Sequence, residues 1–187
     1  MSGYDTCASR RVVVGVSGSL GSVTALYRAA AEARHREAEL WPVLAWEPPG
    51  GESAARRSPA PPALTGEWQR LARERLLVVL GEVFGEATPA GVPLHGLVVR
   101  ATPGAALVET ADRDDDILVV GAGRRGWRRA FSGRVTRYCL THAHCPVLAI
   151  PPSPLEETLA AARRRSAWHL PLSTRQLSSG ATTTPEP

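Results

Sequence analysis

The residues best suited to bind an anion lie in a glycine- and arginine-rich segment between Gly121 and Arg137, which holds six arginines and four glycines. An apolar run, residues 117–120, precedes the segment, and a helical pattern follows it and leads to a second apolar run, residues 147–150. Backbone N–H groups in a glycine-rich turn and in the first turn of a helix point outward unpaired, which suits phosphate. The segment is therefore predicted to be an anion-binding loop between a strand and a helix.

A second turn of small residues, with the sequence SGSLGS at residues 17–22, follows the first apolar run of the chain. Small residues tolerate tight turns and serine caps helices, so this turn is predicted to lead into a helix. Its hydroxyls donate and accept hydrogen bonds but carry no charge. If the strands before the two segments are neighbours, both segments meet in one crevice at the carboxyl ends of those strands.

Apolar runs alternate with helical patterns along the chain. The predicted strands are residues 11–17, 40–46, 94–99, 117–120 and 147–150, and the predicted helices before the glycine-rich segment are residues 23–36, 63–87 and 103–113. This alternation predicts an α/β fold, a doubly wound five-stranded parallel sheet with helices on both faces.

Three local predictions accompany this pattern. Residues 47–62 hold five prolines and are predicted to form a long, mobile loop. The pair Thr102 and Pro103 predicts a capped helix start. The apolar stripe of the helix at residues 63–87 is predicted to be core, and it comprises Leu64, Trp68, Leu71, Leu76, Val79, Leu80 and Val83.

The length of 187 residues is that of one domain with some chain left over. We assign residues 1–9 to a flexible N-terminus, residues 10–152 to the folded domain, and residues 153–187 to a C-terminal extension that is mostly disordered. The last assignment rests on residues 172–187, which contain too few large apolar side chains to pack.

Composition excludes several functions. All 22 basic residues are arginine, so the lysine of a Walker-type phosphate loop is absent. The formal charge is +4, and the arginine clusters are not interleaved with aromatic residues, which disfavours a nucleic-acid partner. Three cysteines without CxxC spacing fit a reducing cytoplasm. No apolar run approaches the length of a membrane span, so a soluble, cytoplasmic protein without a membrane partner is expected.

Residues for metal or covalent chemistry are not evident. His142, His144 and Cys145 do not place three ligands on one tetrahedron, and histidines beside the C-terminal dipole of a helix explain them better. No serine, histidine and acid form a recognisable hydrolytic triad. The SGSLGS turn is similar to the SGGxDS pyrophosphate loop of AMP-forming synthetases, but Ser19 replaces a glycine and Gly21 replaces the aspartate. A helix-capping turn is the simpler explanation.

Over residues 10–151 the chain resembles the universal stress protein family. The resemblance rests on VVGVSGS at residues 13–19, AAEAR at residues 30–34 followed by AEL at residues 38–40, DILVVG at residues 116–121, and HAHCPVL at residues 142–148. It implies a five-stranded fold of the adenine-nucleotide α-hydrolase type and a homodimer that pairs through the last strand, residues 147–150. In one branch of the family, ATP binds between the first and fourth strands.

The resemblance also implies a nucleotide site, with the base near Val16 and Ala45 and the phosphates over residues 121–124 and 133–136. The candidate nucleotide-binding residues are Val16, Ser17, Gly18, Ala45, Gly121, Ala122, Gly123, Arg124, Gly126, Gly133, Arg134, Val135 and Thr136. The implied cofactor is ATP or another adenine nucleotide, and the alternative is that no cofactor binds.

The loop departs from the ATP-binding pattern of the family, which is GxxG, nine residues, then glycine followed by serine or threonine. With Gly121 as the first glycine and Gly133 as the last, the segment is one residue short, Arg124 replaces the second glycine, and Arg134 replaces the hydroxyl residue. With Gly123 and Gly126 as the glycine pair, only six residues separate Gly126 from Gly133. Ser17 stands where the family commonly has aspartate. Arg134 could pair with phosphate or fill the pocket.

Three functions remain at this stage. The leading one is a stress-response regulatory or protective module that binds nucleotide without turnover, with at most weak ATP hydrolysis. The second is a homodimer that binds no nucleotide and acts through protein interaction, with an unknown regulatory partner. The third is an AMP-forming ATP pyrophosphatase, for which two residues of the pyrophosphate loop are missing.

Overall fold

A computed structural model of the chain describes residues 9–85, 91–122 and 133–153. These residues form five strands and five helices. The strands are β1 (Arg11–Gly15), β2 (Glu39–Trp46), β3 (Leu97–Arg100), β4 (Ile117–Gly121) and β5 (Val147–Ile150). The helices are α1 (Leu20–Arg36), α2 (Gly51–Arg57), α3 (Pro62–Phe84), α4 (Pro103–Thr110) and α5 (Arg134–His142).

The strands form one parallel sheet in the order β3, β2, β1, β4, β5. β1 pairs with β2 on one side and with β4 on the other, with Val14 opposite Pro42 and Val119. The chain winds outward from β1 to β3 and then crosses back to β4, so the direction of winding reverses between β1 and β4. The predicted doubly wound five-stranded α/β fold is confirmed.

Two apolar layers hold helices against the faces of the sheet. On one face, α1 packs on β1 and β4 and α3 packs on β2 and β3, in one apolar layer that includes Val12 and Val14. On the other face, α4 and α5 pack on Val13 and Leu118. The middle of β1 and β4 is completely buried on both faces, which explains why these strands read as continuous apolar runs.

Helix boundaries differ from the predictions where local hydrogen bonds decide them. α1 begins at Leu20 instead of residue 23, because the Ser19 side chain caps it by accepting a hydrogen bond from the Ser22 N–H. α4 ends at Thr110 instead of residue 113. α4 begins at Pro103 with Thr102 at its N-cap, so the predicted helix start is confirmed, but the Thr102 side chain makes no capping hydrogen bond.

The predicted long loop at residues 47–62 contains a helix, α2, and this prediction is wrong. Its sequence, GESAARR, includes good helix formers that the surrounding prolines obscured. The Glu52 carboxylate also accepts a hydrogen bond from Nε of Arg100 at 2.8 Å, which ties α2 to the end of β3. The chain therefore crosses the carboxyl ends of β2 and β3 in an ordered turn of helix.

The apolar stripe of α3 is core only in its second half. Leu76, Val79, Leu80 and Val83 are buried as predicted, and Ala72 joins them. Leu64 and Leu71 are 44% and 48% exposed, because the first half of the helix projects past the buried cluster, so the prediction of core is wrong for them.

The chain divides into two compact units, Met1–Pro152 and Ser153–Pro187. Apart from Ser153, the second unit lies outside the described residues, as do residues 1–8 of the predicted flexible N-terminus at residues 1–9. Within the described part of the chain, every helix is too short or too polar to cross a membrane.

Candidate functional site

The crevice at the carboxyl ends of β1 and β4 is the candidate site. Val14 of β1 lies opposite Val119 of β4, so the residues that follow both strands emerge at the same edge of the sheet. β1 is prolonged by one further hydrogen bond, from the Val16 N–H to the Val43 carbonyl oxygen at 2.8 Å. The chain leaves the sheet only after Val16, which brings Ser17 and Gly18 to the mouth of the crevice.

The turn after β1 presents hydroxyl groups to solvent. The Ser17 and Ser19 Oγ atoms lie 3.0 Å apart, and both residues are exposed. Gly18 between them has a φ of +73°, a left-handed conformation that favours glycine. Ser19 also caps α1, which fixes the turn relative to the helix. The turn is therefore a preformed cluster of hydrogen-bonding groups.

Arg75 of α3 reaches this turn, and the sequence-based prediction missed it. Its Nη2 atom donates a hydrogen bond to the Ser17 carbonyl oxygen at 2.7 Å. A side chain added at Gly18 would meet the Arg75 guanidinium at 3.5 Å and the Val79 side chain at 3.6 Å. Arg75 and Val79 lie one helical turn apart and so share a face of α3. Arg75 lies far from Ser17 in the sequence, and no sequence pattern links the two residues.

The end of β4 lies close to two helices, α5 and α1. The Thr136 hydroxyl of α5 donates a hydrogen bond to the Gly121 carbonyl oxygen at 2.7 Å. A Cβ atom at Gly121 would lie 3.2 Å from the Gly21 carbonyl oxygen of α1, a tight contact, so this backbone approach favours glycine. Ala122 continues the pairing through its N–H, which donates to the Ile150 carbonyl oxygen at 2.7 Å.

The second part of the candidate site lies at the start of α5. Gly133 precedes this helix and Arg134 is its first residue, exposed at the helix N-terminus. Val135 instead packs on the apolar layer beneath α4 and α5. Three candidate residues, Gly123, Arg124 and Gly126, lie outside the described residues.

Val16 and Ala45, the residues expected near the base, belong to opposite faces of the sheet. Val16 is buried with Val12 and Val14 in the layer under α1 and α3. Ala45 packs on the other layer, under α4 and α5. Their side chains do not form one wall, and a base in contact with both would lie across the strand ends.

Other reactive groups lie away from the crevice. No group of three or more potential metal ligands exists among residues 9–85, 91–122 and 133–153. The imidazole of His142 stacks on the Tyr138 ring at 4.1 Å, and its Nδ1 atom lies 2.9 Å from the Tyr138 carbonyl oxygen. Cys139 and Cys145 are free and buried, and burial raises the pKa of Cys139 to about 11, which leaves its thiol protonated and unreactive.

The opposite end of the sheet carries a buried charge cluster. Arg11, at the start of β1, donates from Nε and Nη2 to the two carboxylate oxygens of Asp116, at 2.9 and 2.5 Å. Nη2 also contacts Asp112 at 2.5 Å, and the guanidinium lies 4.9 Å from the centre of the Trp41 ring. These hydrogen bonds raise the pKa of Arg11 and lower that of Asp112. The cluster joins the amino ends of β1 and β4.

The strand order defines a doubly wound α/β protein, and such sheets bind ligands beyond the strand ends at the point where the winding reverses. The model of the universal stress protein family matches residues 8–151. The match spans most of the chain, and the protein belongs to this family. The resemblance drawn from its motifs is confirmed.

Solved structures are similar to the same part of the chain. A universal stress protein from Archaeoglobus fulgidus is 27% identical, with a TM-score of 0.52, and the similarity covers 75% of this chain and 93% of that one. The hypothetical protein MJ0577 is 16% identical, with a TM-score of 0.59, over 78% and 97% of the two chains. A universal stress protein family protein from Arabidopsis thaliana, solved with AMP bound, is 16% identical, with a TM-score of 0.51, over 79% and 94%. A comparison with curated proteins finds no match.

Proposed function

We propose that this chain is a stress-response module, regulatory or protective, that binds an adenine nucleotide such as ATP in the crevice without turning it over. The observation that carries the proposal is that β1 and β4 end side by side, with the turn after β1 and the last residue of β4 at the same edge of the sheet. Gly18 forms the left-handed turn after β1, and Gly121 ends β4 in close approach to α1. Open α/β sheets bind ligands at such a reversal point.

The groups that surround the crevice suit a phosphorylated ligand. Exposed hydroxyls of Ser17 and Ser19 and the guanidinium of Arg75 lie on the β1 side. Arg134 opens α5 on the β4 side, where the first backbone N–H groups of a helix attract anions. Hydrogen-bond donors with positive charge on both sides favour phosphate as the bound group.

The surroundings of the serines support the proposal that the nucleotide is not turned over. The Ser17 and Ser19 hydroxyls contact each other, and among the described residues neither contacts a histidine or a carboxylate that would act as a general base. Both described cysteines are buried. Binding that changes conformation, instead of chemistry, is therefore the proposed activity.

We extend the proposal to a cytoplasmic homodimer that pairs through β5 and acts on a regulatory protein partner. Among the described strands, β5 pairs only with β4, and Leu148 on it is 40% exposed. A free strand edge of this kind pairs readily with another strand. Analytical ultracentrifugation should show a dimer that Ala149→Pro dissociates, and a wild-type monomer at all concentrations would contradict the dimer.

The nucleotide is tested by purifying the protein without added nucleotide, denaturing it, and identifying the released small molecules by mass spectrometry. Calorimetric titration of the stripped protein with ATP follows. We expect adenine nucleotide near one equivalent per chain. Gly133→Trp should abolish binding, because the tryptophan side chain would occupy the proposed phosphate position at the start of α5. Gly66→Trp is the control, because Gly66 of α3 faces open space. Unchanged affinity in Gly133→Trp would contradict the proposed site, and release of AMP would indicate the pyrophosphatase function.

A second candidate function is a protein-interaction dimer that binds no nucleotide. It is favoured by the opposite orientation of Val16 and Ala45, which leaves no shared wall for a base. It predicts neither copurified nucleotide nor measurable ATP binding.

A further inference from the structure

We propose that Arg75 contacts the phosphates of the bound nucleotide and makes binding independent of a divalent metal ion. The ligand class is then a nucleoside polyphosphate that binds equally well with and without magnesium. This inference rests on the proposed function and refines it by naming the group that supplies positive charge.

The packing of α3 fixes the position of Arg75. α3 packs on β2 and β3, and its Leu76 and Val79 are buried in the same apolar layer as Val14 and Val16. One turn before Val79, the Arg75 side chain emerges at the edge of this layer and reaches the Ser17 carbonyl oxygen at 2.7 Å. The packing of α3 thus holds a guanidinium over the turn that follows β1.

The charged groups around the turn after β1 determine whether a metal ion can bind there. Ser17 occupies the position where the family resemblance implies an aspartate, and its described partners are Ser19 and Arg75. Of the acids after β2, Glu52 is paired with Arg100, and among the described residues Glu47 makes no ion pair with Arg75. A magnesium ion binds carboxylate and phosphate oxygens together. At Ser17 the carboxylate is replaced by a hydroxyl, and the neighbouring charge is a cation.

Arg75 has N–H donors that form no hydrogen bond with the described residues. A guanidinium has five N–H donors in a planar fork that matches phosphate oxygens. Within the described part of the chain, Arg75 uses one of its nitrogens for a protein hydrogen bond and has no acidic partner. The remaining donors are exposed at the mouth of the crevice, where they can bind phosphate directly.

The experiment is calorimetric titration of the stripped full-length protein with ATP, once with excess EDTA and once with magnesium chloride. The variants are Arg75→Ala, Arg75→Lys and Ser17→Asp, with Arg73→Ala as the control, because Arg73 is an exposed arginine of the same helix. Circular dichroism confirms that each variant is folded.

Wild-type affinity should differ less than about twofold between EDTA and magnesium. Arg75→Ala should weaken ATP binding in EDTA by about tenfold or more, which corresponds to the loss of one charged hydrogen bond. The affinity of Arg75→Lys should lie between those of the wild type and Arg75→Ala. Ser17→Asp should weaken binding in EDTA and recover with magnesium. Equal affinities of Arg75→Ala and Arg73→Ala, or loss of wild-type binding in EDTA, would overturn the inference and leave the proposed function standing. No wild-type binding under either condition would overturn both.

Discussion

At the amino end of the sheet, Arg11 meets two carboxylates, whereas at the carboxyl end Arg75 meets a single carbonyl oxygen among the described residues. Both arginines lie beside β1, yet only the first is buried, with 7% of its side chain exposed. The hydrogen-bonding capacity of Arg11 is consumed by protein partners, and that of Arg75 is largely available.

This difference separates stability from binding. A buried guanidinium must be paired, because an isolated buried charge is very costly. An exposed guanidinium on a helix can replace its hydrogen bonds to water with hydrogen bonds to a ligand. We therefore expect substitutions at the amino end to affect unfolding, and substitutions at the carboxyl end to affect ligand affinity more than folding.

The largest effect is expected from Asp116→Ala. Removing this carboxylate leaves Arg11 buried with only the exposed Asp112 as a partner, and it also removes the acceptor for the Arg113 N–H. We expect the free energy of unfolding to fall by about 3 kcal/mol or more in urea denaturation. Asp115→Ala, an exposed neighbour, should change it by less than about 0.5 kcal/mol. Equal effects would show that the ion pair does not stabilise the sheet.

A smaller effect is expected from Gly18→Ala at the carboxyl end. The φ of +73° forces a side chain into the left-handed region, which costs about 1–2 kcal/mol. The matched control, Gly66→Ala in α3, should raise stability by about 0.5–1 kcal/mol because alanine favours the helix. Thermal melting measures both, and the account requires the two changes to have opposite signs.

Thr136→Val should cost about 1 kcal/mol, because the Gly121 carbonyl oxygen loses the hydroxyl that α5 donates to it. Thr141→Val in the same helix is the comparison, since the exposed Thr141 hydroxyl bonds only to carbonyl oxygens of its own helix among the described residues. Urea midpoints should fall more for Thr136→Val, and a larger loss in Thr141→Val would contradict the proposed tie between α5 and β4.

The smallest effect concerns acid. Arg11 holds the pKa of Asp112 below its usual value of 3.8, so the ionised carboxylate stabilises the folded state above that pH. The stabilisation is lost as the pH falls through the lowered pKa of the folded state. Asp112→Asn should therefore melt at a lower temperature than the wild type at pH 6, with the gap closing toward pH 3. The side chain is mostly exposed, so a small gap is expected, and a gap that widens in acid would contradict the pairing.

The buried strands were predictable from sequence because a strand covered on both faces must be apolar throughout. The crevice was predictable only in part. Ser17 follows β1 and Gly121 ends β4, so their place was readable, and both lie at the same edge of the sheet. Arg75 was not readable, because it lies far from both turns in sequence and only the packing of α3 brings it to Ser17. Helix α2 was missed because its flanking prolines outweighed a short run of good helix formers.

The central claim is that the carboxyl end of the sheet is where nucleotide binds. Backbone amide NMR of the labelled, nucleotide-free protein titrated with ATP tests it most directly. The account predicts saturable shifts for Gly18, Ser19, Gly121 and Ala122, with Arg11 and Asp116 unmoved. Shifts concentrated at the amino end, or no shift at any ATP concentration, would contradict it.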